Sequence, residues 1–235
     1  ADHTVKGNKS LLPGEVRRIR QQLISSGKKK DHQLWVMMIL GIALFLRATE
    51  IIELKVESFH MEYGVCKPKN IRTLVVKVIG KTEAGEGKAA YLQLKRDDKF
   101  PELCPVRALL SYLKSENIQN GYLFRCDSDP NDPDKHMTYS SFLNRLKAVL
   151  AKIFPRDFGP QAKTPHQVGT HTLRKTAYLF AIWGIYSRME AANEIVDPTT
   201  KMSNINLACI LKAARHSNIE NAQKYIRDSP TLYLT

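Results

Sequence analysis

The hydrophobic pattern near the start of the chain is helical. Apolar residues recur at three- and four-residue spacing after Pro13, which predicts a helix with one buried face. The glycine and three lysines at 27–30 predict the end of this helix. The predicted buried face consists of Val16, Ile19, Leu23 and Ile24.

A longer apolar run follows, from Leu34 to Leu46. It is too short to cross a hydrocarbon core of about 30 Å, so it predicts a buried helix over about 32–46 instead of a membrane span. An amphipathic helix through Ile51, Ile52 and Leu54 is predicted to follow it.

The pattern then changes to two runs rich in strand-forming residues, Thr73–Ile79 and Ala89–Leu94. Three glycines lie between them, so the two runs predict a β-hairpin with a flexible tip. The glycines are Gly80, Gly85 and Gly87.

The second half of the chain is predicted to be mainly helical. Pro105 suits the first turn of a helix through Tyr112. Thr138 or Ser140 can cap a helix through about Ile153. Because no internal repeat is visible, the prediction is a mostly helical α+β fold with one small antiparallel sheet.

A further helix is predicted after the loop at 159–168. Thr170 can cap it, and the helix then carries His171 and Arg174 in its first turn. Residues three apart project on one side of a helix, and a helix N-terminus favours anions. The pair is thus placed where an anion is favoured, but a surface histidine is the commoner explanation of an isolated H-x-x-R.

The charge of the chain indicates a polyanionic partner. The formal net charge is +13, and residues 1–30 carry eight basic residues against two acidic ones. Residues 145–176 carry seven against one. Nucleic acid is the first candidate and an anionic membrane surface the second.

The cysteines and acidic residues provide little support for a metal or disulfide framework. The four cysteines are scattered without a C-x-x-C pair, which favours a reducing compartment. The acidic loop at 127–134 faintly resembles a calcium loop, but Asp132 and Thr138 stand where Gly and Glu are required. A solvated turn is the better interpretation, and no secretory signal is visible.

Six polar residues lie in order within four distinctive strings. These are L-R-A-T-E-I-I-E-L at 46–54, V-I-G-K-T at 78–82, H-T-L-R-K-T at 171–176 and R-H-S-N-I-E-N-A-Q-K-Y at 215–225. The strings resemble the catalytic domain of tyrosine recombinases, the integrase type of site-specific DNA strand-transfer enzyme. The six residues are Arg47, Lys81, His171, Arg174, His216 and Tyr225.

The resemblance implies cleavage of DNA without a metal or other cofactor. Arg47 and Arg174 would bind the non-bridging oxygens of the scissile phosphate, and His171 would assist proton transfer. Glu50, three residues after Arg47, is placed to hold its guanidinium; a plain structural ion pair is the alternative. Lys81 would protonate the leaving 5′-oxygen from the hairpin tip, with Lys88 as the competing lysine.

Tyr225 is the implied nucleophile and would form a 3′-phosphotyrosyl bond. His216 precedes it by nine residues, which would place the two on opposite sides of one continuous helix. A shared site therefore requires a bend, and Ser217-Asn218 offers a restart cap. Tyr233 is a weaker candidate because it lacks this spacing.

The resemblance also implies a partner and a domain plan. The partner is double-stranded DNA, with self-association as a dimer or tetramer on it, no membrane contact, and an intracellular location with DNA, in the nucleus or the bacterial cytoplasm. Residues 1–10 read as a basic linker and 11–235 as the catalytic domain, with no upstream DNA-clamping domain. Candidate DNA contacts are Arg17, Arg18, Lys28, Lys29, Lys30, Lys88, Lys175 and Arg215.

Other functions remain open at this level. An inactive DNA-binding descendant would have been free to lose one of the six residues, yet all are present. A telomere resolvase or a type IB topoisomerase is an alternative, because these enzymes also place cationic side chains around a nucleophilic tyrosine. An RNA-binding module is disfavoured because the run at 73–79 has no aromatic residue. The string at 215–225 faintly resembles eukaryotic crypton-type mobile elements.

Overall fold

The computed structural model describes residues 9–61, 71–79, 89–162, 168–169 and 171–191. Within these ranges the chain forms six α-helices and one three-stranded antiparallel sheet, which confirms the predicted mostly helical α+β fold. None of the described helices is long and apolar enough to cross a bilayer. The helices are α1 (Pro13–Ser25), α2 (Lys29–Ala43), α3 (Ala48–Ile52), α4 (Pro105–Ser115), α5 (Tyr139–Ile153) and α6 (Thr172–Ala191).

Helix α2 is the centre of the core. Every residue from Gln33 to Ile42 is buried, and α2 contacts each of the other five described helices. A helix that is apolar all round must be enclosed by other elements, so the prediction of a buried core helix is confirmed. Its end was predicted a few residues too late, because the chain turns after Ala43.

The turn after α2 depends on an unusual backbone conformation. Phe45 has φ +53°, in the left-handed region that glycine normally occupies. The amide of Leu46 donates to the carbonyl of Gly41 at 2.9 Å, which closes the end of α2. The ring of Phe45 packs edge-on against Tyr178 of α6, with centroids 5.3 Å apart. This packing holds the strained turn in place, and α3 begins three residues later.

The predicted hairpin is confirmed as two strands, β2 (Thr73–Ile79) and β3 (Ala89–Lys95). They pair in antiparallel register from Thr73 opposite Lys95 to Ile79 opposite Ala89. The side chains of Leu74, Val76 and Val78 are buried. A third strand, β1 (Phe59–Met61), pairs with β2 and was not predicted, because three residues are too few to show a strand pattern.

Two predictions at the start of the chain need correction. Ile24 was placed on the buried face of α1, but it is 38% exposed, because it follows Leu23 directly and lies a further 100° round the helix. Helix α1 does end before Gly27, yet Lys29 and Lys30 form the first turn of α2. Gly27, with φ +65°, makes the reversal between the two helices.

The second half of the chain follows the prediction closely. Pro105 is the first residue of α4, which extends to Ser115. Thr138, not Ser140, caps α5: its hydroxyl accepts a hydrogen bond from the amide of Ser141 at 3.1 Å. In the acidic loop, the ammonium of Lys135 lies 2.9 Å from Asp129 and 3.0 Å from Asp132, so ion pairs occupy these carboxylates.

Helix α6 packs tightly against α2 and the start of the chain. A Cβ atom at Gly41 of α2 would lie 2.6 Å from Cδ1 of Ile51 and 3.0 Å from Cδ1 of Leu173, so glycine permits the close approach of α3 and α6. On its other side, α6 receives the buried amide of Leu11, which donates to Oγ1 of Thr176 at 2.9 Å. The same hydroxyl donates to the carbonyl of Thr172 at 2.8 Å.

Replacing Gly41 with alanine tests this packing. We expect Gly41→Ala to lower the free energy of unfolding by about 1 kcal/mol, because overpacking in a full core outweighs the helix preference of alanine. Gly14→Ala is the matched control in α1, where nothing lies within 4 Å of the added Cβ, and it should be neutral or stabilising. Urea unfolding measures both. A Gly41→Ala protein at least as stable as the parent would contradict the packing.

Candidate active site

Three basic residues lie at the start of α6, two in its first turn and His171 just before it, although the sequence predicted His171 within the helix. His171 directly precedes α6, and its carbonyl accepts the amide of Lys175 at 2.8 Å, which places it at the cap position. The hydroxyl of Thr172 accepts the amide of Gly169 at 3.2 Å and ties the preceding loop to this turn. Residues three and four apart lie on one side of a helix, so Arg174 and Lys175 share the side of His171. Thr170, the predicted cap, lies outside the described residues.

Arg47 is held at the start of α3 by Glu50. The backbone amide of Arg47 donates to one carboxylate oxygen at 2.8 Å, and Nη1 donates to the other at 3.2 Å. The contact expected from the three-residue spacing is therefore present. Glu50 is only 4% exposed and the Arg47 side chain is 26% exposed, so the carboxylate of the pair is buried and the arginine is partly open to solvent. The carboxylate fixes both the backbone and the guanidinium of Arg47.

Positive charges from the starts of both α3 and α6 act on His171. Burial lowers the pKa of its imidazole below the usual range, and the positive charges of Arg174, Arg47 and Lys175 lower it further. Ile51 of α3 and Leu173 of α6 both lie against Gly41, so the two helices pack against the same part of α2. The structure thus brings together three of the six predicted residues, together with Glu50.

Arg174 is completely buried, with 0% of its surface exposed, and Lys175 is 9% exposed. An arginine keeps its charge at physiological pH, and its planar fork matches the oxygens of a phosphate or carboxylate. A guanidinium held in the interior beside a helix N-terminus is suited to binding an oxyanion.

The hairpin of β2 and β3 lies beside α3, the helix that follows Arg47. A cleft of about 290 Å³ is lined by Glu50 of α3, Lys55, and Lys77 and Ile79 of β2. Ile79 and Ala89, the last and first described residues around the hairpin tip, are paired. Lys81 and Lys88 belong to the intervening segment and lie outside the described residues, as do His216, Tyr225 and Arg215.

The predicted DNA contacts near the start of the chain lie on the surface and make several internal contacts. The guanidinium of Arg17 lies 3.5 Å from Glu102, and that of Arg18 stacks over Phe154 at 4.9 Å. Lys28, Lys29 and Lys30 cluster at the N-terminal end of α2, whose fifteen residues span about 22 Å, and Arg47 follows the other end. Lys29 pairs with Glu116 at 3.3 Å and Lys30 with Asp127 at 3.8 Å.

Two features of the site were not predicted from the sequence. Lys175 was expected to be a DNA contact, and its burial beside His171 has no signal other than the four-residue spacing. Phe45, two residues before Arg47, has a left-handed backbone conformation. Nothing in the sequence indicates it, because a bulky side chain disfavours that conformation. In the described part of the chain no three His, Cys, Asp or Glu side chains are grouped so as to hold a metal.

Comparison with known proteins identifies the fold. No protein-family model and no curated protein matches this sequence. Among solved structures, the XerH site-specific recombinase bound to difH substrate in a pre-cleavage complex superimposes with a TM-score of 0.57 at 15% identity, over 94% of this chain and 51% of that one. XerA recombinase gives 0.57 at 16% identity, over 100% and 66%.

A third match is the Tn1549 transposon integrase in complex with a circular intermediate DNA. Its TM-score is 0.55 at 14% identity, over 96% of this chain and 63% of that one. The chain spans between about half and two thirds of the length of these proteins. At such identities the likeness shows the fold alone, and that fold is the one of the tyrosine recombinase catalytic domain.

Proposed function

We propose that this chain is the catalytic domain of a DNA strand-transfer enzyme, a recombinase, integrase or transposase. It would cut and rejoin DNA through a covalent 3′-phosphotyrosyl intermediate without a metal or other cofactor. The observation that carries the proposal is the placement of Arg47, held by Glu50, and of the buried Arg174 on two helices that pack against the same part of α2, within a tyrosine recombinase fold.

Arg47 and Arg174 supply the binding site for the scissile phosphate. The transition state carries extra negative charge on its non-bridging oxygens, and fixed donors stabilise it without reorganising. Arg47 is fixed by its two hydrogen bonds to Glu50, and Arg174 by its complete burial. Both guanidiniums keep their charge during the reaction.

Tyr225 supplies the nucleophile in this proposal. Its oxygen attacks the phosphorus, and the hydroxyl proton passes to a base, for which the neutral imidazole of His171 is suited. The bond from phosphorus to the 5′-oxygen breaks, and Lys81 gives that oxygen its proton. His216 completes the phosphate site. The phosphotyrosyl bond retains the energy of the broken phosphodiester bond. Attack by a second 5′-hydroxyl therefore rejoins the strands without ATP and releases Tyr225.

The proposal includes a partner and a location. XerH was solved bound to difH substrate and the Tn1549 integrase bound to transposon DNA, and we carry double-stranded DNA over to this chain as its partner. Assembly as a dimer or tetramer on DNA, a place inside the cell with DNA, and the boundary at residue 11 remain predictions. The resemblance to crypton-type elements also stays a prediction, based on the string at 215–225 and on Trp183-Gly184.

A covalent DNA adduct tests the reaction. We expect the protein, tested also with any longer native chain, to form an adduct with nicked suicide DNA substrates in the presence of EDTA. Tyr225→Phe should abolish the adduct because it removes the attacking oxygen, whereas Tyr233→Phe should retain it. Denaturing gels measure the yield. An adduct that survives Tyr225→Phe, or none on any substrate, would overturn the mechanism; binding without an adduct would indicate an inactive DNA-binding descendant.

Glu50 offers a second test, because it acts through Arg47. Glu50→Gln keeps an acceptor for the Arg47 amide but removes the charge that orients the guanidinium, so we expect adduct formation to slow about tenfold or more. Glu53→Gln is the matched control, since it removes a charge from the exposed C-terminal end of the same helix. Equal rates for the two variants would show that Glu50 does not position Arg47.

A further inference from the structure

The three-stranded sheet has one buried face and one outer face. Side chains alternate between the two sides of a strand, and β2 buries every second residue from Leu74 to Val78. Lys77 and Ile79 therefore belong to the outer face. Tyr91 of β3 is paired directly opposite Lys77, so its side chain lies on the same face.

Two large side chains of the outer face are open to solvent. Tyr91 is 65% exposed and Ile79 is 57% exposed, and no other large hydrophobic residue in the described part of the chain is as exposed. The register makes them diagonal neighbours, because Ile79 lies opposite Ala89, two residues before Tyr91. Most of the surface of Tyr91 is therefore available to a ligand.

The charged side chains of the outer face are basic. None of the three strands contains an aspartate or a glutamate. Lys77 is partly exposed, and Lys95, which shares the face because it follows Tyr91 by four residues, is exposed. A surface that carries cations and lacks carboxylates attracts a polyanion.

The outer face borders the candidate active site. Lys77 lines the cleft of about 290 Å³ that Glu50 also lines, and Glu50 is hydrogen-bonded to Arg47. In the proposed reaction, cleavage leaves a strand that ends in a free 5′-hydroxyl at this site. Only base pairs then hold that end, and they must open before the hydroxyl can attack a second phosphotyrosyl bond.

We propose that the outer face of the sheet binds an unpaired DNA strand, with a base stacked on Tyr91 and phosphates bound by Lys77 and Lys95. The proposal rests on the proposed function, in which cleavage frees such a strand beside this face. Lys95 lies four residues from Tyr91 along β3, which is about 13 Å at the rise of a strand. This length corresponds to about four stacked nucleotides.

The chemistry of the face favours an unpaired strand over a duplex. Bases in a duplex cover the faces of their neighbours, so an exposed ring reaches only base edges and phosphates there. An unpaired strand offers the face of each base, and stacking on an aromatic ring tolerates any sequence. Strand β3 thus supplies the aromatic residue that β2 lacks. A protein partner fits this face less well, because lysine is depleted from the centre of protein interfaces.

Binding of oligonucleotides to the full chain tests the proposal. Fluorescence anisotropy follows a labelled oligothymidine of about ten nucleotides and a labelled duplex of about twenty base pairs. Tyr91→Thr keeps a strand-forming residue and removes the ring, so we expect it to weaken binding of the single strand about fivefold or more, and that of the duplex by less than about twofold. Tyr91→Trp should retain the binding. Phe100→Ala is the matched control, because it removes an exposed ring outside the sheet, and it should change neither affinity.

The two lysines give an independent readout. Each phosphate contact with a single strand contributes about 0.7 to the slope of log affinity against log salt concentration. Lys77→Gln and Lys95→Gln should each reduce the slope by about this amount. Tyr91→Thr should keep the slope of the parent protein, because stacking releases no counterion. Lys114→Gln, at an exposed position of α4, is the control for net charge and should also keep it.

Equal affinity of Tyr91→Thr and the parent protein for the single strand would overturn the proposal, as would equal losses on the single strand and the duplex. Tighter binding of oligouridine than of oligothymidine would overturn the assignment to DNA. Tyr91→Leu repeats the test if the threonine variant does not fold. The measurement involves no cleavage, so it decides the role of the sheet face even if no adduct forms and the proposed function fails.

Discussion

The close approach of α3 and α6 to α2 at Gly41 is the constraint on which the site depends. Arg47 directly precedes α3, and His171 directly precedes α6. Both helices pack against the same part of α2, and this packing sets the distance between the two residues. Gly41 leaves room for Ile51 and Leu173, one from each helix. The apolar core thereby sets the separation between charged groups that are far apart in sequence, and its burial offsets the cost of holding cations near one another.

Much of the fold was predictable because its signals are local. The buried helix α2, the hairpin strands and the capped helix α5 each follow from the residues within them. Strand β1 could not be found in this way, since its three residues become a strand only by pairing with β2. Phe45 shows the opposite case, in which packing against Tyr178 overrides a strong local preference.

The site was predictable where spacing along one helix decides the geometry. Glu50 lies three residues after Arg47 and His171 three before Arg174, and both pairs take the positions expected. The approach of Arg47 to His171 follows from tertiary packing, and the resemblance to a known family supplied it before the structure did. The burial of Lys175 depends on what surrounds α6, which no local pattern contains. Lys81, His216 and Tyr225 lie outside the described residues and stay predictions.

The hydrogen bond from Leu11 to Thr176 has a consequence for how the domain comes apart. Thr176 also donates to Thr172, so one hydroxyl joins the segment before α1 to the first turn of α6. Fraying at Leu11 would leave its buried amide without this acceptor and open the flank of the helix that bears Arg174. The segment at 9–12 therefore stabilises the start of α6. Proteolytic cleavage within it would destabilise the part of the fold that holds Arg174 before it affected the sheet.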